Sequence, residues 1–229
     1  MYQYRDISGN VIELPLGKAV CVGRNYADHI QELNNAVPDE PLLFIKPNTA
    51  LCDMAQPLNI PTDSLCHNEL EVALLIAKPI AKPLSGTEQT DKELMEAIWG
   101  VGLALDLTLR EKQSELKEKG YPWERAKAFD NSCPLSAFVP MSEVSDIQNI
   151  EFTLSVDGAM RQEGNTQLML NDCLSLIREI TTTFTLLPGD LVLTGTPKGV
   201  GALNSGNQLH AQMMQANSKP LIACATKVS

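Results

Sequence analysis

Two apolar runs that each abut carboxylates constrain this chain more than anything else in it. Residues 70–77 read Leu-Glu-Val-Ala-Leu-Leu-Ile-Ala, and residues 101–105 read Val-Gly-Leu-Ala-Leu. Such runs suit strands covered on both faces. Yet the first run follows His67-Asn68-Glu69 and carries Glu71, while the second ends at Asp106. Strand alternation puts His67, Glu69 and Glu71 on one face. A solvated strand face is the ordinary reading of such a pair of glutamates, and the spacing leaves open whether Asp106 joins them. If the three meet, each like-charged pair at ~4 Å costs about 4 kcal/mol at an effective dielectric of roughly 20. A divalent cation would offset that repulsion. All-oxygen ligation favours Mg²⁺ or Mn²⁺ over zinc, with His67 a neighbour rather than a ligand.

The 229 residues suit one large domain with a sizeable core. Short strands with turn signals between them outnumber the helices, which favours an α+β, β-rich fold over a doubly wound sheet. Residues 1–16 read as a small hairpin appendage turning at Ser8-Gly9-Asn10, ahead of a main domain over 17–229. Helices are expected near 26–34, 87–98, 108–119 and 166–183. A second hairpin is expected to turn at Asp157-Gly158. With 18 basic against 28 acidic residues, the net charge of −10 argues against nucleic acid or an anionic membrane as the main partner. The six cysteines form no C-x-x-C pair, and neither an apolar leader nor a membrane-length run is present. A soluble, cytoplasmic protein is therefore expected.

Further motifs accompany the carboxylates: Cys21-Val-Gly-Arg-Asn-Tyr-Ala-Asp-His29, Phe44-Ile-Lys-Pro47, Asp106-Leu-Thr-Leu-Arg110, Lys127-Ala-Phe-Asp-Asn-Ser-Cys-Pro134 and Thr194-Gly-Thr-Pro-Lys-Gly-Val-Gly201. Together, and in this order, they resemble the fumarylacetoacetate hydrolase family. The similarity is to its small single-domain branch of acylpyruvate hydrolases and oxaloacetate-acting enzymes. One departure is that Leu109-Arg110-Glu111 stands where many relatives have Ala-Arg-Asp. The resemblance implies a rolled mixed β-sheet with a few short helices, usually in a homodimer. It also implies Mg²⁺ or Mn²⁺ held by Glu69, Glu71 and Asp106. A lid-helix pair falls on His29 and Glu32, a catalytic lysine on Lys127, and substrate contacts on Arg24, Lys46, Arg110 and Thr196.

Taken alone, His29 would read as a surface residue, Lys127 as a solvated lysine, and Arg24 and Arg110 as ion-pair partners. The glycines at 195, 199 and 201 lack the spacing of a phosphate loop. With the resemblance, the leading expectation is hydrolysis of 3-acylpyruvates such as acetylpyruvate or fumarylpyruvate to pyruvate and a carboxylic acid. His29 would activate the water and Lys127 would stabilise the oxyanion. The alternative is decarboxylation or keto–enol tautomerisation of oxaloacetate at the same metal. A non-catalytic metal- or ligand-binding module on the same fold is the third reading.

Overall fold

The computed structural model describes residues 2–61, 64–82, 89–215 and 220–229. Its strands are β1 (Ala19–Gly23), β2 (Leu42–Lys46), β3 (Leu51–Asp53), β4 (Cys66–Asn68), β5 (Leu70–Ile76), β6 (Ile98–Leu105), β7 (Thr108–Leu109) and β8 (Cys133–Leu135). They continue with β9 (Val139–Pro140), β10 (Ile150–Val156), β11 (Ala159–Asn165), β12 (Leu191–Leu193), β13 (Gly201–Ala202), β14 (Gln208–Gln215) and β15 (Ile222–Lys227). The helices are α1 (Ala27–Glu32), α2 (Asp91–Ala97), α3 (Arg110–Glu118), α4 (Glu124–Lys127) and α5 (Cys173–Thr183). The fold is α+β and β-rich, built on a curled mixed sheet.

The largest sheet runs β2-β1-β12-β5-β6-β8-β3, with β9 added on β6. The pairs β1–β12 and β3–β8 are parallel and the others antiparallel. β5 and β6 lie inside this sheet, and every residue of β5 is buried. Alternation divides β5 between two cores. Leu70, Val72, Leu74 and Ile76 face one cluster, while Ala73 and Leu75 face the other. The other sheets are β11-β10-β14-β15 and the small β13-β4-β7. The turn at Asp157 (φ 52°) and Gly158 (φ 79°) closes β10 on β11, two positive φ values that suit a tight hairpin.

Three local readings change. Residues 2–16 form a single antiparallel bridge between Arg5 and Val11 rather than two strands. The segment lies against the main sheet, with Tyr4 fully buried and its hydroxyl donating to the Gly189 carbonyl at 2.8 Å. The expected helix over 166–183 is interrupted. A 3₁₀ turn spans Thr166–Leu168, and α5 starts only after Asp172, whose carboxylate caps the Ser175 N–H at 2.8 Å. The intervening N–H groups of Leu170 and Asn171 bond Asn25 instead of continuing the helix. The helix expected over 87–98 is seen from Asp91 to Ala97, opened by a reciprocal Thr90–Glu93 capping box. Its first two expected residues lie outside the described ones. No helix among the described residues is long and apolar enough to cross a membrane.

Gly100 lets β9 lie close on β6, since a Cβ there would sit 2.2 Å from the Val139 carbonyl oxygen. Gly100→Ala is expected to cost about 1–3 kcal/mol, as overpacking does. In a urea titration the midpoint should fall with the slope unchanged. An unchanged midpoint would mean that β9 does not pack there in solution.

Candidate metal centre and active site

The β5–β6 register builds the site. Leu70 faces Leu105 and Glu71 faces Ala104, and the ladder extends one step further, where the Asp106 N–H donates to the Glu69 carbonyl at 2.8 Å. Directly opposed residues share a face, so Asp106 stands beside Glu69, and Glu71 follows two residues along. One carboxylate oxygen from each of Glu69, Glu71 and Asp106 lies within 4.8 Å of the other two, and all three residues are buried. Cys66–Asn68 belong to the small sheet, so His67 is set apart from the metal group. Its Nδ1 accepts from Arg110 Nε at 3.4 Å.

Three cations face these carboxylates. Lys127 Nζ donates to Glu69 Oε2 (2.7 Å), Asp106 Oδ2 (2.6 Å) and Thr108 Oγ1 (2.7 Å). Arg110 pairs with Glu69 Oε1 and also donates to Gln113 Oε1 at 2.7 Å. Lys46 Nζ lies 2.9 Å from Asp106 Oδ1. Its protons run to Ser132 Oγ (3.0 Å) and to the carbonyls of Ser132 (3.0 Å), Leu107 (3.3 Å) and Lys127, so Asp106 Oδ1 accepts no hydrogen bond.

Burial alone would raise the Glu69 carboxyl, but Lys127 and Arg110 outweigh it and hold it well below the usual carboxylate range. Burial, reinforced by the Asp106 charge, pushes Glu71 well above that range. Burial also works against the Lys127 ammonium. Asp106 and Glu69 overcome it and hold the lysine charged beyond its ordinary range. The donor set fits a hard divalent cation. It is all oxygen, close-set and buried, and one carboxylate oxygen has no hydrogen bond. Glu69, Glu71 and Asp106 would hold such an ion.

Across the cleft, α1 presents His29 with Nδ1 3.3 Å from Glu32 Oε2. Burial pushes the imidazole down, with Glu69 and Glu32 opposing, so it is neutral near pH 7. An Nδ1–H donated to Glu32 leaves Nε2 as the basic nitrogen. The 194–201 loop holds the other side of Glu32, since the Gly199 N–H donates to Oε1 at 2.9 Å, and Lys198 pairs with Asp28 at 2.8 Å. The loop also reaches the metal group through the Gly195 N–H, which donates to Glu71 Oε2 at 2.7 Å. Gly195 (φ 94°) has no room for a side chain, because a Cβ would meet that of Asn25 at 2.7 Å.

The cleft holds about 430 Å³ including its open mouth. Arg24, His29, Arg110, Lys127, Thr196 and the three carboxylates line it. Lys46, expected to touch substrate, is fully buried and does not line the cleft. It stands behind Asp106 as a support. The Thr196 hydroxyl is committed to the Leu70 carbonyl at 2.8 Å and accepts from Gln162 Nε2 at 2.8 Å. Sequence reasoning missed Thr108, Gln113, Gln162 and Asn25. Thr108 and Gln113 lie within seven residues of Asp106 and were open to discovery. Gln162 sits on a hairpin strand whose flanking residues are exposed, and nothing in the chain marks it as a buried bridge from Thr196 to Asn68.

The chain is similar to several known proteins. The family described as "Fumarylacetoacetate (FAA) hydrolase C-terminal" matches residues 18–228. The oxaloacetate tautomerase YcgM of Escherichia coli (strain K12) is 51% identical over 211 residues, covering 91% of this chain and 94% of that protein. A mitochondrial oxaloacetate decarboxylase of Dictyostelium discoideum is 42% identical over 191 residues, covering 82% and 85%. The crystal structure of fumarylpyruvate hydrolase from Pseudomonas aeruginosa in complex with Mn²⁺ and pyruvate superimposes with a TM-score of 0.86. It shares 30% identity and covers 99% of this chain and 95% of that one.

Burial and the Asp106 charge push Glu71 toward its neutral form, so divalent metal competes there with a proton. Calorimetric titration of Mn²⁺ into metal-stripped protein should therefore release protons, with affinity climbing by up to about tenfold per pH unit. In Glu71→Gln the proton release should vanish and binding should weaken by at least about tenfold. An affinity independent of pH in the unaltered protein would contradict this assignment.

Proposed function

The chain belongs to the fumarylacetoacetate hydrolase family, and from that premise we propose that it is a divalent-metal-dependent enzyme interconverting the keto and enol forms of oxaloacetate. One observation carries the reading: a buried, neutral His29 backed by Glu32 shares a small cleft with three convergent carboxylates. That arrangement supplies a single well-placed base beside a site for chelating a 2-oxo acid. The relatives named for oxaloacetate tautomerisation and decarboxylation, at 51% and 42% identity, support oxaloacetate as the substrate.

A bound Mg²⁺ or Mn²⁺ would act as a Lewis acid on the 2-oxo group and acidify the neighbouring C3–H. The chain's own groups do the rest. His29 Nε2 takes the C3 proton, and Glu32 holds the imidazolium that forms. The Gly199 N–H fixes Glu32 so that it cannot swing away. Lys127 sets positive charge beside Glu69 and Asp106, where negative charge grows on the substrate oxygen. The enolate oxygen takes a proton from solvent while the His29 imidazolium returns the C3 proton to solvent, which gives the enol with no net change in protons and restores the neutral base.

Hydrolysis of acylpyruvates, the leading expectation from sequence, becomes the second reading. It keeps support from the fumarylpyruvate hydrolase likeness at 30% identity, and it asks the same His29 to activate a water. Mg²⁺ or Mn²⁺ and a homodimer, which the resemblance implies, belong to the proposal, as does the cytoplasmic setting expected from the sequence.

His29→Ala should lower oxaloacetate tautomerisation by about 10²–10⁴-fold, the range of a lost general base. Decarboxylation needs no such base and should fall by less than about tenfold. Proton NMR of oxaloacetate with the Mg²⁺-loaded protein, set against the metal-stripped protein, reads enol, keto form and pyruvate separately. Equal losses in both reactions would remove His29 from its role. Cleavage of fumarylpyruvate or acetylpyruvate with oxaloacetate left untouched would move the assignment to the second reading.

A further inference from the structure

Helix α3 places Arg110, Gln113 and Lys117 along one face, three, four and seven residues apart, and all three line the cleft. Lys112 on the helix and Lys119 just past its end pair with Glu115 on the opposite side, at 2.5 and 2.8 Å. Lys117 has no carboxylate within ion-pair distance among the described residues. Its ammonium instead sits 5.0 Å over the Trp123 ring, half-buried at the cleft. Among the described residues Arg24, also on the cleft, donates only to neutral groups, the Ala36 carbonyl at 3.2 Å and Asn35 Oδ1 at 2.8 Å. Its backbone is held at φ 62°, a left-handed conformation that is strained for a non-glycine residue and concentrates at ligand sites. Arg110 and Lys127 are committed to the metal-site carboxylates. Two cations without carboxylate partners therefore share one small cleft in a chain whose net charge is −10.

We propose that Lys117, seated over Trp123 and flanked by Arg24, binds the second carboxylate of a 2-oxo dicarboxylic acid and makes the site select dicarboxylates over 2-oxo monocarboxylates. The inference rests on the function proposed above and deepens it by naming the group that recognises the far end of the substrate. Burial, then the charges of Arg24, Arg110 and Lys127, push the Lys117 ammonium down to about 8, with Glu69 opposing. A substrate carboxylate beside it supplies the missing counter-charge. Recognition is thus strongest below about pH 8, where the ammonium is charged, and fades above it.

The test uses the full chain loaded with Mn²⁺ and two ligands followed by calorimetry. One is 3,3-difluorooxaloacetate, a dicarboxylate with no C3 hydrogen to abstract. The other is 2-oxobutyrate, which has a methyl group where oxaloacetate has its second carboxylate. Lys117→Met should weaken difluorooxaloacetate binding by at least about tenfold, the usual loss for a charge-assisted contact, and leave 2-oxobutyrate unchanged. Lys117→Arg should restore dicarboxylate binding and remove its decline above pH 8. Equal weakening of both ligands would assign Lys117 a structural role, and no change in either would remove it from recognition. Unaltered Mn²⁺ binding in each variant reports an intact fold. If difluorooxaloacetate binding depends on Lys117 but oxaloacetate is not turned over, the proposed reaction fails and the carboxylate site stands. If oxaloacetate turnover and KM are unchanged in Lys117→Met, the site fails and the reaction stands.

Discussion

Three carboxylates buried within 4.8 Å of one another are the arrangement on which the rest of this structure depends. Left unopposed, such a cluster would not stay ionised, and the chain answers it in two ways. Lys127, Arg110 and Lys46 bring positive charge against Glu69 and Asp106, which keeps Glu69 ionised. Glu71 lies further from them and is pushed toward its neutral form. The site thus sets opposed charges side by side, an arrangement suited to admitting a divalent cation. The balance has to be built on interior strands, because only there does a fixed register hold carboxylates from two strands side by side.

The second requirement is to set a base opposite this cluster, and here the loops do the positioning. Asn25 donates to the carbonyls of Thr194 (2.9 Å) and Asn171 (3.0 Å) and accepts from the Asn171 N–H, joining the start of α1 to two distant segments. Glu32 is held by Gly199, and Asp28 by Lys198, so α1 is clasped to the loop that also reaches Glu71 through Gly195. The distance from His29 to the metal group is therefore fixed by hydrogen bonds on both sides of the cleft. The broken helix before Asp172 belongs to the same construction, since the backbone it frees serves Asn25.

Much of this was legible in the chain, and the exceptions share a physical cause. The apolar runs marked the covered strands, and the resemblance picked out His29, Glu32, Lys127 and the carboxylates by their motifs. Whether Asp106 meets Glu69 depended on a register that spacing does not encode, because residues 77–97 separate the two strands. Lys46 is a substrate contact only by the resemblance, and lysines are seldom buried. Its depth emerges only once Ser132 and three backbone carbonyls gather around it. Gln162, Asn25 and Lys117 act through partners remote in sequence or through a cleft wall, which local pattern does not reveal. The choice between hydrolysis and tautomerisation was not legible because both call on the same carboxylates and the same histidine. Relatives of higher identity tip it toward oxaloacetate.

Glu69, Glu71 and Asp106 would jointly hold a divalent cation while Lys127 remains beside them. Anomalous diffraction from crystals soaked in Mn²⁺ tests it most directly. One strong peak is expected, with an oxygen from each of the three carboxylates at roughly 2.0–2.6 Å, the range of hard-cation ligation. A peak elsewhere, or none while Lys127 still bridges Glu69 and Asp106, would show that the cluster is a closed network of ion pairs and contradict the account.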